Sequence, residues 1–452
     1  MRRVFSSGRQ GLVAAMEEET RVAELAEGGD AEATELAENN AETTEAVAEV
    51  AESTEEGAVA EDAKEEAVET VEALESIAIA LRTSAANGGM DKHSAHVVSI
   101  AVEHMYSRIG VSRKAMPAME SFGGTSTRVG ATQLALEGIT QSIKDIWAAI
   151  VKAVKKAVQW VKDHFFKVFG AAEKLKKRAD AVKAKAGAVT TKPKEKTFDN
   201  KSLVEKLQME GTVKADESGV KNLAIVVKAV FDQYAATSGK AGEEIADALE
   251  KTDKATATLA IPGSVELSVL TDGNASKVAD APGGCKVQSS VELPGGKSLQ
   301  RYVATERTMD NVTKEKVFLG PFNKDGKAPT SEQVTTLAAN TCEAIAKTVG
   351  EIADAIISYR AQFDKVLKIK DRIVKAAEKI GKEAESGDTK VEVGAGQEAT
   401  DKKGALQQAQ KLAAHSMTMM DFGTKDLGGY AVNTGNALLN YVEASLSHYE
   451  SK

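Results

Sequence analysis

Few residues of this chain are of the types and spacings that could do chemistry. Pro294-Gly295-Gly296-Lys297-Ser298 closes as a phosphate-binding loop does, with a lysine for a phosphate and a hydroxyl for a metal. The glycine such a loop needs five positions before Gly296 is Val291, and β-leaning runs flank the segment, so it reads as a hairpin turn. His93, His96 and His104 could nominally share a metal. They lie on an amphipathic helical pattern with no cysteine and no convergent carboxylates, so neither metal nor other cofactor is expected. No Gly-x-Ser-x-Gly elbow or His-Glu-x-x-His helix occurs. The glutamates follow Ala-Glu repetition and form no acid/base couple. No catalytic residue is assigned and no enzyme is expected. The chemistry left is done to the chain: the stretch PAMESFGG, 117–124, lies in a Gly-, Ser- and Thr-rich linker between Lys114 and Gly130, where a protease finds exposed backbone.

Charge changes sign around that stretch. The 452 residues carry a net charge of -9. Residues 1–120 hold 25 acidic and 10 basic side chains, a balance of -15, which leaves 42 acidic and 48 basic, or +6, in 121–452. Residues 17–75 repeat Ala, Glu, Thr and Val with few large apolar side chains, a composition that predicts disorder or unpacked helix. Cys285 and Cys342 give neither a disulfide framework nor metal-ligand spacing. The N-terminal MRRVFSSGRQGLVAAM has too short an apolar run for a signal peptide, and no run approaches the roughly 20 apolar residues of a membrane span.

The elements follow from periodicity. VETVEALESIAIALRT and DKHSAHVVSIAVEHMYSRIG read as two helices. Beyond the linker, Ile139, Ile143, Ile146, Ile150, Val154, Val158, Val161 and Phe165 recur at steps of three and four, one apolar helix face, and the helical pattern continues to Gly187. Between Ala255 and Phe322, TATLAIPGSVELSVL, CKVQSSVEL, LQRYVATE and KEKVFLGPF are short β-leaning runs between glycine-rich turns, predicting four or five antiparallel strands. Thr330 and Gln333 have capping-box spacing ahead of a helical run with a bend at Gly350 or Arg360, and two more helices close the chain. The expected fold is mainly α with a small antiparallel β insert (α+β): an elongated helical body behind a disordered acidic N-terminal region. Its segments are 1–120, acidic and propeptide-like; 121–254, basic and helical; 255–325, the β insert; and 326–452, a C-terminal helical bundle.

Lys152, Lys155, Lys156 and Lys162 crowd the polar side of helix 139–169 and are the candidate polyanion-binding residues, with contact to phosphates independent of sequence. A lysine face opposite Ile, Val, Phe and Trp also suits a membrane surface. The same helix therefore leaves open a second reading, a membrane-active effector ejected with a genome.

AMESFGG followed by ALEGITQSIKDIWAAIVKAVKKAVQWVKDHFFKVFGAAEKLKKRA resembles internal head (inner-capsid) proteins of large-genome tailed bacteriophages over roughly residues 115–180. The resemblance implies a non-enzymatic virion protein, inside the capsid after assembly in the host cytoplasm. It implies cutting by a prohead maturation protease after glutamate, at small or apolar residue-x-Glu. Ala118-Met119-Glu120 before Ser121 has that form and is the expected site. Ala135-Leu136-Glu137 before Gly138 is the alternative, and Ala73-Leu74-Glu75 before Ser76 also has the form. The implied partners are the protease, capsid or scaffold proteins, and packaged DNA.

Overall fold

The computed structural model describes residues 31–109, 116–251, 266–324, 329, 331–386, 412–413 and 415–449. Alanine and glutamate are strong helix formers, and the acidic segment forms one long helix, α1, Ala31–Ala86. Its buried positions alternate steps of three and four residues: Thr43, Val47 and Val50 in the first half, Val71, Leu74, Ala78 and Leu81 in the second. A short helix α2, Lys92–Arg108, is capped by Asp91, whose carboxylate accepts the Ser94 N–H at 2.7 Å. Helix α3 spans Arg128–Ala188, 61 residues, about 90 Å at 1.5 Å per residue. It buries Ile139, Ile143, Ile146 and Ile150, then Val161, Phe165 and Val168, at the same spacing.

The two long helices pair along these seams. Ser53 Oγ lies 3.0 Å from His164 Nδ1, and the Met90 N–H donates to Thr132 Oγ1 at 2.9 Å, so positions advance on α1 as they retreat on α3. The pair is antiparallel. At Gly57 a β-carbon would meet the Trp160 ring at 2.2 Å, so only glycine permits this approach. Residues 31–75 therefore form packed helix and not the disordered or unpacked segment that their composition predicts, and the helix expected from VETVEALESIAIALRT continues it. Their stripe of small side chains cannot form a core alone, but it lets the bulky stripe of α3 come close, and the partner supplies the missing apolar surface. Residues 1–30 lie outside the described residues. Full burial of side chains such as Leu74 and Phe165 contributes about 1.5–3 kcal/mol each.

Side chains from both sides of the stretch 117–124 share two clusters. One joins Val71, Leu74 and Leu81 of α1, Val102 and Tyr106 of α2, Phe122, and Ile139 to Ile150 of α3. The larger core takes Val50, Phe165, Leu299, Val349 and Val442, residues from every compositional segment. Phe165 stacks on Phe363 with centroids 3.8 Å apart, at the centre of an aromatic group with Tyr359 and Phe169. A third cluster packs Ile245 and Leu249 against Ile369 and Ile373.

Among the described residues the β insert is one antiparallel sheet of three strands, β2 (Cys285–Ser289), β3 (Lys297–Ala304) and β4 (Lys316–Pro321), in that order. Val287 pairs with Tyr302 and Arg301 with Val317. Pro294 to Ser298 is the turn into β3, with Gly295 and Gly296 at φ 77° and 66°, a hairpin and not a phosphate loop. Of the first β-leaning run, 256–265 lies outside the described residues. Glu266 to Leu270 has turn and irregular backbone ahead of a single bridge between Thr271 and Ser289. A separate two-stranded sheet pairs β1 (Thr197–Asp199) with β5 (Gln333–Thr335). Gln333 is thus a strand residue opposite Asp199 and not the third position of a capping box; Thr330 lies outside the described residues. The following helix, Ala339–Ser358, starts after Ala338 with no side-chain cap, and the break before the next helix, Arg360–Ser386, falls at Tyr359. Gly350 sits inside the first of these two helices.

Candidate functional site

Between α2 and α3 the chain makes a short 3-10 turn, Met119–Phe122. The Ser121 N–H donates to the Ala118 carbonyl at 3.0 Å and the Gly123 N–H to the Glu120 carbonyl at 3.1 Å. Ala118 and Glu120 are exposed, Met119 and Ser121 half-buried, and 123–127 exposed throughout. Phe122 is fully buried in the α1–α2–α3 cluster. The expected exposed linker is in its described part, 116–127, a pinned turn followed by an exposed one, in which the Thr127 N–H and hydroxyl donate to the Gly124 carbonyl. The surrounding glycines and serines hide this, because one phenylalanine decides it.

The three Ala-x-Glu triplets singled out above fall in different settings. Glu137 is exposed but lies inside α3, where the Gly138 carbonyl accepts the Ser142 hydroxyl at 2.9 Å and Ile139 is buried. Glu75 is half-buried within α1. Of the three, only Glu120 is outside an α-helix. A protease binds extended backbone, so of these three bonds the one after Glu120 can be presented by opening one turn and not by unwinding a helix.

On α3, Lys152, Lys155, Lys156 and Lys162 are exposed, as are Lys167, Lys177 and Lys185 further along. At about 100° per residue these lysines fall opposite the buried seam, in one lengthwise band. Lys155 is taken up by an ion pair with Glu378 of the helix Arg360–Ser386. Lys176, beside the band, is held above the ordinary lysine range by Asp180, with Asp354 adding to the effect. Trp160 stacks on the buried His164 with centroids 4.9 Å apart. The apolar face that a membrane would use is occupied, since Ile139, Ile143, Ile146, Ile150, Val161 and Phe165 are all buried. No described helix is long and apolar enough to cross a membrane. His93, His96 and His104 are exposed on α2.

A polar anchor that the sequence reading missed ties the acidic helix to the C-terminal one, Gly428–Ser447. The Arg178 guanidinium donates to Asn436, to Asn440 at 2.6 Å and to the Glu443 carboxylate at 2.6 Å. Asn40 of α1 donates to the same Glu443 oxygen at 3.0 Å. Arg178 looks like any basic residue of KLKKRAD. Only the spacing of Asn436, Asn440 and Glu443 on one helix face hints at a partner.

The sequence model of the phiKZ-like phage internal head proteins matches residues 32–444. The chain belongs to this family. The match opens at the second residue of α1 and reaches into the last helix, so the acidic helix, both sheets and the C-terminal helices all lie within the shared region. It therefore extends well beyond the stretch 115–180 that carries the resemblance in the sequence. An internal head protein lies inside the phage capsid. No curated protein and no solved structure matches the chain.

Proposed function

We propose that this internal head protein is a non-enzymatic structural component of the virion, matured by hydrolysis of the Glu120–Ser121 bond and in contact with packaged DNA or the inner capsid. The observation that carries the cleavage site is the position of Glu120, exposed in a short turn while the bonds after Glu75 and Glu137 lie inside helices. The partners are a prohead maturation protease, capsid or scaffold proteins, and DNA. Removing residues 1–120 takes away a balance of -15 and leaves +6, which favours weak, salt-sensitive attraction to phosphate. N-terminal sequencing of the protein from purified particles is expected to read from Ser121. The chain should then have 332 residues, the 452 less the first 120, and a mass of about 35 kDa by scaling 47.7 kDa with length. Intact chain in finished particles would reject this maturation.

DNA contact falls to the lysine band of α3. Replacing Lys152, Lys156 and Lys162 by Gln in the 121–452 form is expected to weaken binding to any DNA sequence. It should also flatten the dependence of log affinity on log salt by about 2 to 3, near 0.9 per lost phosphate contact. Lys155→Gln alone should change little, because Glu378 already holds that ammonium. A triple variant with an unaltered salt slope would move the contact elsewhere. Vesicle binding by the same form, with DNA binding absent, would favour the membrane reading of helix 139–169.

A further inference from the structure

We infer that cutting the Glu120–Ser121 bond does not by itself release the acidic arm: residues 31–109 stay seated on α3 as a separate chain, so cleavage and loss of the arm are two steps. The inference rests on the proposed cleavage site, but its basis is the interface on either side of it. Hydrolysis consumes one water and leaves a carboxylate on Glu120 and an amine on Ser121. It removes only the covalent tie in a turn that two backbone hydrogen bonds close.

The contacts that hold the arm lie far from that turn. At one end Val71, Leu74 and Leu81 cover Ile139, Ile143 and Ile146, and this cluster is built only from the arm, Phe122 and α3. At the other end Val47 and Val50 enter the large core beside Phe165 and Val168. Polar contacts cross the interface along its length. They are Asn40 with Glu443 at 3.0 Å, the Glu42 carbonyl with Lys174 at 3.4 Å, Ser53 with His164 at 3.0 Å, and Met90 with Thr132 at 2.9 Å. Departure of the arm would bare an isoleucine stripe in water, which burial of apolar surface opposes. The surface of α3 thus fits one partner of defined chemistry, the chain's own N-terminal helix pair. The balance of -15 in residues 1–120 accordingly stays with the complex after the bond is cut, seated on the face of α3 that lies away from the lysine band. The change to +6 waits for the second step.

The test makes the cut with a different protease. The exposed segment Gly123 to Thr127 is replaced in the full chain by the recognition sequence of a site-specific protease. The purified protein is cut to completion and passed over a gel-filtration column in neutral buffer. Both fragments are expected at the elution volume of the uncut chain, separating only in denaturant. An N-terminal fragment that elutes alone in plain buffer would overturn the inference. The same cut in a chain carrying Val50→Asp and Leu74→Asp, its fold checked by circular dichroism before cutting, should release the fragment. Retention there would show that the named contacts are not what holds it. Because the cut is engineered, a failure of processing at Glu120 in particles bears on the proposed function and leaves this result unaffected.

Discussion

Particles assembled with Glu120→Gln are expected to contain the uncut 452-residue chain in place of the form that starts at Ser121. Glutamine keeps the size of the side chain and removes the charge that a glutamate-reading protease recognises. It leaves the turn intact, because the Glu120 backbone carbonyl, and not its exposed carboxylate, accepts the Gly123 N–H. Any residual processing should appear as a slow product beginning at Gly138. Cutting there requires the helix around Glu137 to unwind, breaking the Ser142–Gly138 contact and lifting Ile139 out of its cluster. Glu137→Gln alone should leave the particle-associated chain starting at Ser121. Intact-mass measurement of the protein from both variants decides the matter. Normal processing of the Glu120 variant, or a block in the Glu137 variant, would show that the site has been misplaced.

Arg178→Ala is expected to have the largest effect on stability, a loss of about 3–5 kcal/mol in denaturant unfolding, as for removal of one partner from a buried ion pair. The Arg178 side chain is 1% exposed and that of Glu443 17%. Deleting the guanidinium strands a carboxylate in the core and leaves Asn436 and Asn440 without their donor. The Asn40–Glu443 bond then has no opposite charge to complement it. Arg178→Met with Glu443→Leu should recover much of the loss, since apolar replacement removes both desolvation costs. A loss below about 1 kcal/mol for Arg178→Ala, the level of an exposed pair, would show that the network does not hold the helices together.

The sequence by itself determined the local geometry of this protein. The steps of three and four from Ile139 to Phe165 specify a helix with one apolar face, and α3 buries Ile139, Ile143, Ile146, Ile150, Val161 and Phe165 of that face. The glycines of PGGKS specify a turn, and they sit at positive φ. The long helical run is expected to bend at Gly350 or Arg360, and it breaks at Tyr359, beside the second of these and not at the first. The family could also be named from the residues around Glu120 and the basic helix. These readings need only a residue and its neighbours, because dihedral preference and side-chain period are local properties.

Tertiary structure decided everything that depends on a distant partner. An Ala-Glu helix has too little apolar surface to pack alone, so whether residues 31–86 are ordered depends on the complementary stripe of α3, near which no local pattern places it. Gln333 lies in a strand because β1, over a hundred residues earlier in the chain, offers free backbone groups. Lys155 is paired because Glu378 comes beside it, while Lys152, Lys156 and Lys162 lie exposed on the same side of α3. Phe122 turns a glycine-rich linker into an anchored turn, and Arg178 becomes a buried link between α3 and the last described helix, whose Glu443 also accepts from Asn40 of α1. In each case the deciding energy is burial or charge pairing between segments far apart in sequence, and only the folded chain brings those segments together.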